Sequence, residues 1–399
     1  MESTSISRQQ RRREFGTFLA YGSCFIALGL SMSVVGPTLP ALAENVGVSL
    51  AQISFIFTSS SLGYMMGSSV GGRLYDRFKG HRIMMIALGL MVIAGAFVPL
   101  LSSFYGLLVV VFLFGLGQGF VDIGANVNLL WIFQSRVGPY MNALHFFFGL
   151  GAFLSPIIVT NVMRITGGAI TWPYWVLGVL YLPGLVGLMI FPSPENPEKE
   201  TGRDLPQKVN YKLVVPMVVL FFLYVGVESS FGGWIFTYAT TTGIAGESGA
   251  SYLNALYWGA LMAGRLLTVP LSRKIKPSKI LVGNYILMVL FLLMILIWPR
   301  NPVMVWIASI GLGFAVSSVF PTLLSLAETR MKVTGAVTGL FFFGTSLAGM
   351  IVPMLLGQIF EFAGGYQAMQ TLFIGACLGL VVLIVVIIAS NRMGEKVRQ

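Results

Sequence analysis

Long apolar stretches broken by few polar positions alternate with short polar connections along almost all of the 399 residues. A helix needs about 20 predominantly apolar residues to cross roughly 30 Å of hydrocarbon. The pattern predicts twelve such helices, at 15–43, 50–76, 81–102, 104–130, 138–165, 171–191, 211–242, 249–273, 278–298, 301–328, 332–362 and 366–391. Six lie on each side of 192–210, a proline-rich, charged segment without apolar periodicity that reads as a linker. The expected fold is therefore an all-α polytopic membrane protein with a tail at 1–14, helix bundles at 15–191 and 211–391, and a tail at 392–399.

The two halves repeat one another weakly. Gly67 to Ile83 lies over Gly264 to Ile280 at an offset of 197, pairing Gly67 with Gly264, Leu74 with Leu271, Arg77 with Lys274 and Lys79 with Lys276. Offsets of 195 to 197 also pair Gly29 and Gly36 with Gly226 and Gly233, and Phe146 to Gly149 with Phe341 to Gly344. Parallel membrane repeats that meet near the bilayer midplane are the architecture of rocking transporters, with the substrate between the halves.

Composition agrees with a membrane protein: 56 % of residues are hydrophobic and 10 % are charged. The net charge of +11 does not point to nucleic acid, because the basic residues are confined to alternate connections. They cluster at Arg11 to Arg13, Arg73 to Arg82, Arg136, Lys199 to Lys212, Arg273 to Lys279, Arg330 with Lys332, and Arg392 to Arg398, whereas the opposite connections hold Arg164 and Arg300. This positive-inside asymmetry places both termini in the cytoplasm and makes lipid the surrounding partner. The first apolar stretch is about twice a signal-peptide core and belongs to the repeat, so it reads as a retained span. Cys24 and Cys377 fall in spans of different halves and suggest neither a disulfide nor a metal site.

The turn between the second and third spans reads Gly72-Arg73-Leu74-Tyr75-Asp76-Arg77-Phe78-Lys79-Gly80-His81-Arg82. It resembles the GxLaDrxGrk signature of the major facilitator superfamily, with one extra residue between Arg77 and Gly80. The resemblance implies two pseudo-symmetric six-helix bundles and a cytoplasmic gate using Gly72, Asp76 and Arg77. The second copy has Arg273 where Asp76 stands, so only the first half can form the full charge pair.

Ionisable side chains inside spans are costly and default to functional candidates. Asp122, His145, Glu228 and Arg265 are such residues here. Gln118, Asp122 and Asn126 recur every four residues and share a helix face. A carboxylate one turn from a carboxamide can hold a proton or offer oxygens to sodium, which makes Asp122 the expected coupling group and Asp122 with Asn126 a possible sodium site. Interhelical packing alone is the competing reading. In the seventh span Glu228 precedes Gly232-Gly233-Trp234, a glycine pair suited to opening a helix beside a site. Glu228 is a candidate sugar acceptor or second proton carrier, and Trp234 a candidate sugar-stacking ring or an interfacial anchor. Asn254, Tyr257, Trp258 and Arg265 form a stripe that can line a hydroxyl-rich ligand or simply pack, with Arg265 divided between gate and substrate. Asn142 and His145 share a face of the fifth span, and His145 is either a proton relay or a bridge between helices.

The runs GQGFVDIGANVNLLW, ALHFFFGLGAFLSP and YVGVESSFGGW together resemble the fucose-glucose-galactose symporter branch of the superfamily, particularly its sodium-dependent glucose transporter-like members. This implies cation-coupled hexose uptake, with Asp122, Ala125 and Asn126 in the places of the fucose permease's fourth-helix acid and the Ala-Asn that follows it. That permease also has a first-helix aspartate, whereas Ser31 to Pro37 here contain no acid. The departure favours sodium coupling, or coupling through Glu228.

Enzyme chemistry is excluded on the same residues. Gly246-Glu247-Ser248-Gly249 looks like an intramembrane serine protease motif, but no histidine base follows His145. There is no HExxH and no nucleotide-binding loop, so gradients are expected to drive the protein without a cofactor other than its coupling ion, sodium or proton. The expected function is secondary active symport of a hexose or similar small polar solute by a monomer in the cell membrane. The alternative is proton-coupled export of drug-like amphiphiles. Sugar transport predicts that Asn126, Asn142, Glu228 and Asn254 face one cavity; amphiphile export predicts a Phe and Met lining.

Overall fold

A bilayer offers no water to unpaired backbone groups, so spanning segments of this composition must be helical. A computed structural model describes residues 8–195, 211–272, 274–331 and 335–396, and it shows no strand among them. The first half contains α1 (Arg8–Ser33), α2 (Val35–Val46), α3 (Leu50–Ile53), α4 (Phe55–Arg77), α5 (Gly80–Phe97), α6 (Phe104–Phe133), α7 (Val137–Ile165) and α8 (Thr171–Ile190). The second contains α9 (Tyr211–Thr241), α10 (Glu247–Ser272), α11 (Pro277–Ile297), α12 (Pro302–Val316), α13 (Val319–Arg330), α14 (Gly335–Phe362) and α15 (Gly365–Lys396).

Ten stretches are long and apolar enough to span, with α12 and α13 together forming one of them. The segment Leu50–Arg77, bent by 117° from α2, brings the number to eleven. The remaining expected span, 249–273, corresponds to α10, where Asn254, Tyr257, Trp258 and Arg265 dilute the apolar character. The structure also revises the edges. The first expected span is interrupted at Val34, and residues 8–14 and 392–396, expected as tails, extend α1 and α15. Arg, Gln, Glu and Lys are good helix formers, so the ladder simply continues past the apolar stretch. Residues 196–210, most of the expected linker, lie outside the described residues, as do Arg273 and Lys332.

Small residues decide how the first half packs. Gly63 and Gly67 on α4 face Gly115 and Gly119 on α6, each pair four apart. A methyl on Gly63 would meet the Phe112 carbonyl, one on Gly67 that of Leu116, one on Gly115 that of Ser60, and one on Gly119 that of Tyr64. In an apolar solvent helices associate through such backbone proximity and not through hydrophobic exclusion. Gly29 on α1 and Gly151 on α7 repeat the device against the Phe148 and Ile26 carbonyls.

Within the first half α4 and α5 pack on α6, and α1 packs on α7 and α8; within the second, α9 packs on α14 and α15, and α10 and α11 on α12. The halves meet where α7 packs on α10, α4 and α3 on α14, and α2 on α9 and α10. At the end of the bundle away from the α4–α5 turn, side chains of one half bond to the backbone of the other. Ser54 Oγ donates to the Met354 carbonyl at 3.1 Å, and Thr58 Oγ1 to that of Met350 at 2.7 Å. Gln358 Nε2 donates to the Ala51 carbonyl at 2.7 Å, and the Leu50 N–H donates to Glu361 at 3.2 Å. These bonds surround Pro353 of α14. This seal closes one end of the molecule.

Replacing Gly119 with leucine should force α4 off α6 at a cost of about 1–3 kcal/mol. A melting curve of the purified protein in detergent checks this; an unchanged midpoint would mean that the crossing is not close packed.

Candidate functional site

The polar face expected on α6 is present, and each of its members has a partner. Gln118, 3 % exposed, donates through Nε2 to Ser31 Oγ at 2.9 Å, and Ser31 donates in turn to the Leu28 carbonyl. Asp122 accepts from the Tyr64 hydroxyl on one carboxylate oxygen and from Asn126 Nδ2 on the other, at 2.9 Å. The same Asn126 nitrogen donates to the Asp122 carbonyl at 2.9 Å. Contact between Gly119 and the Tyr64 backbone sets α4 close enough for the phenol to reach Asp122. Tyr64 is the partner of Asp122 that sequence reading missed; its position beside Gly63 in the small-residue stripe was the available signal.

At the expected sodium site, donors already hold the carboxylate. Hard cations are held by converging oxygens, but both Asp122 oxygens are met by donors and Asn126 turns its nitrogen towards them. Two acceptors, Asp122 Oδ1 and the Asp122 carbonyl, face that nitrogen and would each repel the amide oxygen. Among the described residues, no group of three acidic, histidine or cysteine side chains is placed to hold a metal.

A second cluster lies in the other half. Glu228 and Arg265 form an ion pair at 3.9 Å, and Arg265 Nε donates to the Ser317 carbonyl at 3.2 Å, beside the break between α12 and α13. Arg265 therefore pairs within its own half. The Tyr257 hydroxyl donates to the Glu228 carbonyl at 2.9 Å, and Tyr224, one turn before Glu228, is buried with its hydroxyl short of a hydrogen bond. From the first half, His145 lies edge-on to Phe25 at 5.6 Å and within electrostatic reach of Arg265.

Other candidates fall elsewhere. Trp234 is fully buried, its Nε1 donates to the Pro353 carbonyl at 3.0 Å, and its ring stacks on Phe360 at 4.9 Å with Phe57 alongside. The ring is fully buried and its donor is used by protein, so Trp234 braces the seal and leaves no open face for a sugar. The helix does not open at Gly232-Gly233, since α9 runs unbroken; those glycines admit the Trp258 ring and Phe57. Asn254 is fully buried, with Nδ2 on the Gly232 carbonyl at 2.5 Å. Tyr257 and Trp258 are buried with it. The expected set of Asn126, Asn142, Glu228 and Asn254 does not face one cavity, because Asn254 is sealed between α9 and α10.

At the opposite end Asp76 and Arg77 are exposed on the last turn of α4, and a Cβ on Gly72 would meet nothing. Gly71, not Gly72, makes the close approach, against Ile123 and Phe120 of α6. His81 binds the motif to its surroundings. Its Nε2 bonds the Tyr21 hydroxyl at 2.7 Å, its Nδ1 bonds the Phe191 carbonyl at 3.0 Å, and its backbone N–H donates to Ser193.

Residues 21–353 match the sequence family described as the Major Facilitator Superfamily. The chain belongs to that superfamily. It is 31 % identical to the sodium-dependent glucose transporter 1 of Xenopus laevis, across 83 % of this chain and 73 % of the relative. The human protein of the same name is 29 % identical across 84 % of this chain and 71 % of its own length. Human major facilitator superfamily domain-containing protein 4A is 25 % identical across 92 % and 90 %. A solved structure of a D-xylose-proton symporter superposes with a TM-score of 0.78 at 13 % identity, covering 94 % of this chain and 97 % of that one, which establishes the shared fold. As a superfamily member the chain is a transporter and not an enzyme.

Within this superfamily fold, the Glu228–Arg265 pair tests the packing of the second half. Removing one partner leaves the other charge uncompensated in a partly buried site, whereas removing both does not. Arg265→Gln should therefore melt lower than Arg265→Gln combined with Glu228→Gln, read by thermal unfolding in detergent. Equal midpoints would show that the 3.9 Å pair carries no coupling.

Proposed function

We propose that the protein is a cation-coupled symporter that imports a hexose or similar small polar solute by alternating access. The carrying observation is Asp122, an intramembrane carboxylate that has hydrogen-bond donors but no ion-pair partner among the described residues. Glu228 and Arg265 cancel one another, so Asp122 leaves one net charge to be neutralised when the halves rock across the membrane. The bundles at 15–191 and 211–391 act as the moving bodies. Basic clusters set the α4–α5 turn in the cytoplasm, so the Ser54, Thr58 and Gln358 seal closes the outer end.

The names of the vertebrate relatives support glucose or a similar solute. The exposed Asn142 and the partly buried Asn126 and Glu228 supply hydrogen-bonding groups of the kind a hydroxyl-rich solute needs. A monomer surrounded by lipid suffices for this cycle.

Labelled-glucose uptake into proteoliposomes tests the reading, with an imposed sodium gradient, a proton gradient, or neither. One gradient should drive accumulation, and Asp122→Asn should lower driven uptake at least about tenfold, the equivalent of about 1.4 kcal/mol. Absence of hexose flux under every condition would contradict sugar symport and favour export of amphiphiles.

A further inference from the structure

The offset of 197 that relates the halves places Ser278 at the position of His81, Lys276 at that of Lys79 and Lys279 at that of Arg82. The two equivalent places are filled differently. In the first half the cleft between the start of α5 and the end of α8 is closed by protein. His81 Nδ1 bonds the Phe191 carbonyl at 3.0 Å, its Nε2 bonds the Tyr21 hydroxyl at 2.7 Å, and its backbone N–H donates to Ser193 Oγ at 3.3 Å. Phe191 can offer its carbonyl because α8 ends at Ile190.

In the second half a serine hydroxyl stands where that imidazole does, and α15, the counterpart of α8, continues to Lys396 without a break that would free a carbonyl. The Ser278 hydroxyl has no hydrogen-bond partner among the described residues. Lys279 and Ile280 donate their N–H groups to the Lys276 carbonyl, whereas the Ser278 N–H at the start of α11 has no acceptor among the described residues. Between α11 and α15 remains a cavity of about 270 Å³ lined by Ser278, Lys279, Val282 and Ile387. That is several times the roughly 30 Å³ taken by a water molecule. One turn past Lys279, a Cβ on Gly283 would meet nothing within 4 Å, so no side chain intrudes from there.

The surroundings define the occupant. Lys274 and Lys276 in the turn before α11, and Lys279 in the cavity wall, are exposed, and none of them pairs with an acid among the described residues. Further along the same helices, Ile286 and Leu290 follow Val282 at four-residue spacing, while Ile384 and Val381 precede Ile387 at three-residue spacing, and all four are exposed. A cationic mouth with a free hydroxyl and N–H, opening onto an apolar furrow, suits a phospholipid with an acidic headgroup. A soluble phosphate would leave the furrow unused.

We propose that the α11–α15 cavity binds one anionic phospholipid from the leaflet that the α10–α11 turn faces, in the space that His81 and Ser193 close in the other half. The inference is independent of the substrate and of the coupling ion.

Photolabelling in proteoliposomes tests it, with phosphatidylglycerol carrying a diazirine on its acyl chain and with mapping of the labelled peptides. The segments that hold Val282 and Ile387 should be labelled, and unlabelled phosphatidylglycerol should compete at least about tenfold better than phosphatidylcholine. Lys276→Gln combined with Lys279→Gln should lower labelling there by a similar factor. Ser278→Trp should abolish it with both lysines in place, by filling the cavity. Labelling around Trp298, at the far end of α11, is the internal reference for folding and lipid access in each variant. Equal competition by the two lipids would overturn the proposal, as would labelling that persists in either variant relative to that reference. Suppression by inorganic phosphate would overturn the lipid assignment in favour of a soluble anion.

Discussion

One carboxylate in an apolar bundle, held by hydrogen-bond donors and without an ion-pair partner among the described residues, is the constraint on which the proposed cycle depends. Such a charge is expensive in hydrocarbon. Its hydrogen bonds offset only part of that cost, so every rearrangement that changes its surroundings is coupled to its charge. Glu228 shows the contrast. Paired with Arg265 and backed by Tyr257, it is electrically closed and can travel with its half unaided.

The first half is built to bring a second helix to that carboxylate. Paired glycines on α4 and α6 remove the side chains that would keep the backbones apart, and the phenol of Tyr64 fills the resulting approach. The same α4 carries Thr58 into the seal, while Ser54 lies just before its first residue. A stiff helix thus connects the charge to the closed end of the transporter. Around Pro353 of α14, the carbonyls of Met350, Pro353 and Met354 receive Thr58, Trp234 and Ser54. These bonds join polar side chains to backbone, so the two halves can part without leaving a buried charge behind.

Much of this was legible in the sequence. Apolar run length gave the helices, the offset repeat gave the two halves, and four-residue spacing put Gln118, Asp122 and Asn126 on one face, because helical periodicity is indifferent to tertiary context. Periodicity does not say which neighbour covers a face. That is why Asn254, Tyr257 and Trp258 read as a lining stripe although they are buried between helices, and why Trp234 read as a sugar platform although Phe360 already stacks on it. A glycine pair in a span reads as a helix opening, whereas Gly232 and Gly233 serve close packing. Tyr64 escaped notice because neutral phenols are common in membrane helices; only the glycine crossing, a relation between two distant segments, singles it out.

The central claim is that the charge on Asp122 governs which end of the transporter is closed. The most direct measurement is the distance between spin labels at Thr58→Cys and Met350→Cys across the seal, followed with pH in lipid for the wild-type background and for Asp122→Asn. The account predicts a distance distribution that changes with pH in the first and is fixed in the second. An identical pH response in both would contradict it.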